Sequence, residues 1–195
     1  MLIGVVGKSG AGKSSLIRRM MSFDSEIIHV DIDKIGHNIL SDKVIMENIV
    51  KIVEDESVVV NGVLDRKKVG NIVFNDRVKY QKYYDYTEKI ENEIIDNIIE
   101  ENKDKKVFLD WIILDQTKYW DLLDYKILID TNYETRKDRV IKRDNITNEY
   151  FDLREVMKKD YNREEMNFII DGQNIDDSLI IKLLGELKWK RLMCL

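Results

Sequence analysis

The stretch Leu2-Ile3-Gly4-Val5-Val6-Gly7-Lys8-Ser9-Gly10-Ala11-Gly12-Lys13-Ser14-Ser15 decides how this chain is read. Its first five residues form a short apolar run, the pattern of a parallel strand covered on both faces. From Gly7 onward it matches G-x-x-x-x-G-K-[ST] at every fixed position, and Leu16, Ile17 and Met20 carry it on as a helix. Glycines let successive backbone N–H groups turn inward, and the helix N-terminus adds partial positive charge, so the loop can cradle nucleotide phosphates. Ser9, Gly10, Ala11, Gly12, Lys13, Ser14 and Ser15 are therefore candidate ATP-binding residues. Lys13 would reach the β and γ oxygens, and the Ser14 hydroxyl would ligate Mg²⁺. The competing reading, a chance glycine turn entering a helix, does not account for a complete motif in strand–loop–helix context.

Working outward, four more apolar runs each close on an aspartate. They are Glu26–Val30 before Asp31, Lys106–Leu109 before Asp110, Tyr125–Ile129 before Asp130 and Asn167–Ile170 before Asp171. Helical spacing marks Arg77–Lys103, Thr135–Arg143 and Ser178–Lys190 between or after them. Strands alternating with helices imply right-handed crossovers, which predicts a three-layer α/β fold on a mainly parallel five-stranded sheet.

Composition excludes several classes. The chain has 195 residues with Lys+Arg 32 against Asp+Glu 37, a net charge of -5. An acidic surface of mixed sign argues against nucleic acid gripped by bulk positive charge, and the expected ligands are small molecules. The apolar start is too short for a secretory or membrane-spanning segment. A single cysteine, Cys194, makes no internal disulfide and reads as an inert thiol, so a reducing, cytoplasmic setting is expected. Proline is absent. Composition says nothing of oligomeric state.

Asp31 and Asp33 stand at the end of the second strand in HVDIDKIGHNIL, residues 29–40. Positions i and i+2 of a strand share a side, so both carboxylates would stand at the ligand-binding edge of the sheet. There a carboxylate accepts a hydroxyl proton or helps to hold Mg²⁺; alternatively Asp33 caps the next helix. Asp110 and Asp130 each end a strand, and only the strand beside the phosphate-loop strand can bring its aspartate to Mg²⁺ through water. For Asp130 a strand-end or helix-capping role is expected. Arg136, Arg139 and Arg143 share one helical face, where like charges repel unless an anion faces them. Pairing with Glu134, Asp138 and Asp144 is the alternative, and function is expected for Arg139 and Arg143 only. His29 and His37 are too few for a metal cluster, and Tyr83, Tyr84, Tyr86, Trp111, Tyr119 and Trp120 are expected to serve core and rim packing.

The phosphate loop, HVDIDKIGHNIL, and GVLDRKKVGNIVFND at Gly62–Asp76 resemble successive motifs of the dephospho-coenzyme A kinase family. ETRKDRVIKRDNIT at Glu134–Thr147 resembles that family's approach to its lid. The resemblance implies ATP- and Mg²⁺-dependent phosphorylation of the ribose 3′-hydroxyl of dephospho-coenzyme A. It makes Lys13, Asp33 and Arg139 the candidate catalytic residues, adds Arg143 to the ATP site, and puts Asp33, His37, Asp65, Arg66 and Tyr86 on the acceptor side. Asp65-Arg66 has a plainer reading as a helix-starting pair. Ser14 would bind Mg²⁺, with Asp31 or Asp110 acting through water. The same resemblance implies one kinase domain with an acceptor-binding helical insertion at about 60–104 and a lid at about 144–165. Three family positions differ: a His-Pro pair falls at about Tyr86-Thr87, a Pro-Leu-Leu turn at Trp111-Ile112-Ile113, and a lid glutamine near Asp160. A nucleoside or nucleoside monophosphate kinase, or a non-catalytic ATP-binding protein, are the other readings of this sequence.

Overall fold

The computed structural model describes residues 1–156 and 160–188. Cys194 and the end of the expected helix at 178–190 lie outside them.

The chain divides into two compact units, one formed by Met1–Asp31 with the segment from Asn102 onward, the other by Ile32–Glu101. In the first unit β1 (Leu2–Val6) leads into α1 (Lys13–Met21), and β2 (Ile27–Asp31) follows. In the second unit come α2 (Ile32–Ile39), α3 (Lys43–Val53), a hairpin of β3 (Val59–Val60) and β4 (Val63–Leu64), α4 (Arg66–Asn75) and α5 (Arg77–Glu101). The chain returns to the first unit through β5 (Lys106–Asp110), β6 (Tyr125–Asp130), α6 (Tyr133–Asp144), α7 (Asn148–Val156), β7 (Phe168–Asp171) and α8 (Asp177–Glu186).

The five expected strands all form, and every pairing in their sheet is parallel, in the order β2-β5-β1-β6-β7. Its central strand is buried along its whole length, as a strand covered on both faces must be. Ile3, Val5, Leu16, Ile17, Phe108 and Ile127 are fully excluded from solvent in its core. The strands β5 and β6 flank β1 on opposite sides, so successive crossovers diverge beside its C-terminal end, where open α/β sheets hold ligands. Among the described residues no helix is long and apolar enough to cross a membrane.

The second unit has its own core, built on Ile49, Val53, Val58, Leu64, Val69 and Val73. The helical region expected at about 60–104 is the later part of this unit, which begins at Ile32. With no proline to open helices, side-chain oxygens do so: Asp42 caps α3, Asp65 caps α4, Asn132 caps α6 and Asp176 caps α8. Each such cap is worth about 1 kcal/mol.

Two expectations need correction. Asp31 and Asp33 are not i and i+2 of one strand, because α2 starts at Ile32 and Asp33 lies in its first turn. Helical turn replaces pleat at that point, so the argument that both carboxylates share a strand side fails. Asp33 is also not the cap. The hairpin β3–β4 was unexpected, although Asn61-Gly62 carries its signal: both residues have positive φ, 52° and 78°, which a two-residue type I′ turn requires.

Candidate active site

The loop from Gly7 to Gly12 joins β1 to α1 in the way its sequence demands. Gly10 and Gly12 have φ of 79° and 108°, a region costly for any side chain. At Gly10 a Cβ would also run into the Arg136 carbonyl oxygen, 2.7 Å away, where α6 crosses the loop. Lys13 opens α1 and donates from Nζ to the Gly7 carbonyl at 3.1 Å. Above the loop lies a cavity of about 530 Å³, whose walls include Gly12, Lys13, Ser15, Arg139, Arg143 and Gly172. That is ample for a nucleotide-sized ligand.

The strand order settles which aspartate approaches Ser14. Because β5 lies beside β1, Asp110 reaches the loop, and the Ser14 hydroxyl donates to its Oδ2 at 2.6 Å. Lys13 Nζ lies 3.9 Å from the other oxygen, Oδ1. Burial works against ionising Asp110, but His29, Lys13 and Ser14 outweigh it and hold the carboxyl below its usual range. Asp31 pairs with Asp110 in the β2–β5 register, and His29, Asp31 and Asp110 bring ligand atoms within 4.8 Å of one another. His29 therefore belongs to a metal-capable cluster, contrary to the expectation that the two histidines contribute to none. A hydroxyl, two carboxylates and an imidazole are a donor set that fits a divalent ion.

Asp130 stands on the far side of β1, at the end of β6, and accepts from Arg163 Nη1 at 2.5 Å. It is a strand-end residue as expected, and Asn132 takes the capping role instead.

The arginines of α6 have different partners. Arg136 is buried and donates to Glu155 through two nitrogens, at 3.0 and 2.8 Å, and to the Thr131 carbonyl at 3.0 Å. Its carboxylate partner is Glu155 rather than Glu134 or Asp138. Arg139 extends over the loop, donating to the carbonyls of Gly10 at 3.2 Å and Gly172 at 3.2 Å. Arg143 lies beside Asp144 at 2.7 Å and reaches toward Ser9 Oγ at 3.5 Å.

Sequence reasoning missed three contributors. Gly172, just past β7, is packed so closely against the Ala11 carbonyl and Thr131 hydroxyl that no Cβ fits. Thr131 in turn donates to the Ala11 carbonyl at 2.8 Å. Lys8, a variable position of the motif, pairs with Asp160 at 2.6 Å and Glu155 at 3.5 Å. Asp160 thus ties the segment after α7 to the loop. Gly172 announces itself only as a glycine after a strand-ending aspartate, and the Lys8 pair has no local signal.

In the second unit Asp33 and His37 are exposed and lie one turn apart on α2. Asp65 accepts from the backbone N–H groups of Lys67 and Lys68, the plainer of its two readings, and the exposed Arg66 opens α4 behind it. Tyr86 accepts a hydrogen bond from Asn48 at 2.9 Å. Tyr119 and Trp120 of the first unit are buried, as packing residues should be.

Glu91 on α5 joins this unit's charged patch without having been singled out. Burial first, then the charges of Glu88 and Asp33, push its carboxyl up to about 7. Both Glu91 and Arg66 act on the Tyr83 phenol, so Arg66, Tyr83, Glu91 and Asp33 form one electrostatic neighbourhood. The sign of the resulting pH dependence is fixed. An acid with a raised folded pKa binds more protons folded than unfolded between its unfolded value and about 7, so stability falls as pH rises through that window. Glu91→Gln should remove that slope and stabilise the chain at pH 8 by about 1 kcal/mol, a figure already reduced for the side chain's solvent access. Urea melts of both chains at pH 5 and pH 8 check this; equal stability differences at the two pH values would refute it.

The family model for dephospho-CoA kinase (CoaE) matches residues 1–177. A dephospho-CoA kinase of Fusobacterium nucleatum is 26% identical over 165 residues, covering 85% of this chain and 83% of its own. One from Aquifex aeolicus is 28% identical over 143 residues, 72% of each chain. In fold the chain is similar to a Thermus thermophilus crystal structure, with TM-score 0.79 at 20% identity over 97% of this chain and 98% of that one. It is likewise similar to a dephospho-CoA kinase from Campylobacter jejuni, with TM-score 0.62 at 23% identity over 95% and 96%. A family match running from the phosphate loop to the start of α8 leaves one conclusion: the chain belongs to the dephospho-CoA kinase family.

Proposed function

We propose that this chain transfers the γ-phosphoryl group of ATP to the ribose 3′-hydroxyl of dephospho-CoA, giving CoA and ADP. The observation that carries the reading is the family match, which spans the phosphate loop, the α2 segment and the Arg139–Arg143 helix together. ATP would lie in the cavity over Gly10–Ser15, its phosphates against the loop N–H groups, with Arg139 and Arg143 on its outer wall.

Chemistry in such transfers is mainly positioning and charge neutralisation. Lys13 neutralises the β and γ oxygens, and Arg139, already held over the loop by backbone carbonyls, faces the equatorial oxygens. Mg²⁺ would be held by Ser14, with Asp110 and Asp31 behind it, and would supply positive charge to offset the negative charge of the phosphates. Asp33 orients the acceptor hydroxyl and takes its proton as the new O–P bond forms and the bond from the γ-phosphorus to the bridging oxygen breaks. His37, Asp65, Arg66 and Tyr86 make up the acceptor side. The helical part of the second unit is read as the acceptor-binding insertion, and the region at about 144–165, of which 157–159 lie outside the described residues, as the lid.

A coupled ADP-release assay across dephospho-CoA, adenosine, AMP and CMP tests the assignment. ADP release that depends on dephospho-CoA, with a 3′-phosphomonoester in the product by phosphorus NMR, is the expected result. Turnover with a nucleoside monophosphate and none with dephospho-CoA would replace it with a nucleotide kinase. ATP binding with transfer to nothing would make the chain a binding protein.

A further inference from the structure

One member of the cluster at the ends of β2 and β5 is not accounted for by the phosphate-loop motif. His29 projects Nε2 to 3.2 Å from Asp110 Oδ2, the same oxygen that accepts the Ser14 hydroxyl at 2.6 Å. Its side chain is 11% exposed and that of Asp110 only 5%, so few waters can take the imidazole's place. Neighbouring ligands of an octahedral ion with bonds of about 2.2 Å lie about 3.1 Å apart, and opposite ligands about 4.4 Å apart. The 3.2 Å separation and the 4.8 Å limit on the three ligand atoms both suit one shared ion. Lys13 lies at 3.9 Å from Oδ1, on the other oxygen of Asp110, which leaves Oδ2 directed at Ser14 and His29.

We infer that His29 is a nitrogen ligand of the divalent ion held with the nucleotide, so that this site prefers a first-row transition ion such as Mn²⁺ to Mg²⁺. Mg²⁺ is a hard ion that keeps oxygen ligands and water, whereas a nitrogen ligand raises affinity along the first-row series, of which Mn²⁺ is the weakest-binding member and the one visible by EPR. The inference rests on the reading of Ser14 as the metal-binding hydroxyl of a nucleotide site.

The experiment is pulsed EPR on the full chain with ADP and Mn²⁺. Phosphorus coupling reports whether the ion is on the nucleotide, and nitrogen coupling reports an imidazole ligand. The chain has two histidines, so ¹⁵N-histidine labelling assigns that nitrogen to the protein rather than to adenine. His37→Gln should keep the signal. His29→Gln should lose it and weaken Mn²⁺ binding about tenfold, while Mg²⁺ binding, measured by competition, changes by less than about threefold. If His29→Gln does not fold, the labelled wild-type spectrum decides. Phosphorus coupling without histidine nitrogen would overturn the inference and leave the nucleotide site standing, with His29 only hydrogen-bonding Asp110. Absence of both couplings would remove the Ser14 reading as well.

Discussion

Lys13→Ala should lower the kcat for dephospho-CoA-dependent ADP release by about a thousandfold, or about 4 kcal/mol of transition-state stabilisation. The ammonium group sits at the mouth of the loop, hydrogen-bonded to the Gly7 carbonyl and within 3.9 Å of Asp110. It is thus held in place by its own loop, and on the proposed function its charge would meet the oxygens on which negative charge grows. The loop N–H groups are untouched by the substitution, so ATP affinity should fall far less than kcat. Lys13→Arg tests geometry against charge. It keeps the cation but cannot place a compact ammonium in a space walled by glycines, and should recover little activity. ADP release and ATP titration on the same preparations separate the two effects. A Lys13→Ala chain within tenfold of wild type would remove Lys13 from the chemistry.

Asp33→Asn should reduce kcat by about a hundredfold with little change in KM for ATP, as expected for loss of a group that accepts one proton. Asparagine keeps the size and can still hydrogen-bond the acceptor hydroxyl, but it cannot take the proton. Asp33 is exposed in the first turn of α2, where its negative charge also favours the helix. Part of any stability loss therefore comes from that turn, and melting curves must accompany the kinetics. An Asp33→Asn chain with full activity would confine Asp33 to a structural role.

What the sequence disclosed follows from how local each determinant is. The phosphate loop is contiguous, and each of its glycines is required by its own backbone, so Gly7–Ser15 could be read directly. The strands could also be read, since a parallel sheet leaves continuous apolar runs. Choosing Asp110 over Asp130 required the strand order, which arises from contacts across about a hundred residues. The misreading of Asp33 came from extending a strand's two-residue period past Asp31, when Ile32 already begins a helix. The Lys8–Asp160 pair and the packing of Gly172 against Ala11 join the loop to positions more than 140 residues away, and spacing carries no trace of either.

The strand order also has a consequence for biosynthesis. The partners of β1 all lie late in the chain: Ile3 pairs with Phe108 on one side and Tyr125 on the other. The apolar strand is made before its partners and has none until more than a hundred residues have followed, and such distant pairings close slowly. Ile32–Glu101, by contrast, is contiguous and carries its own core, so it is complete before β5 is made. The nascent chain should therefore fold from its middle outward, with the nucleotide loop among the last parts to take shape. Until then, the apolar Leu2–Val6 segment is the stretch that a chaperone would have to shield.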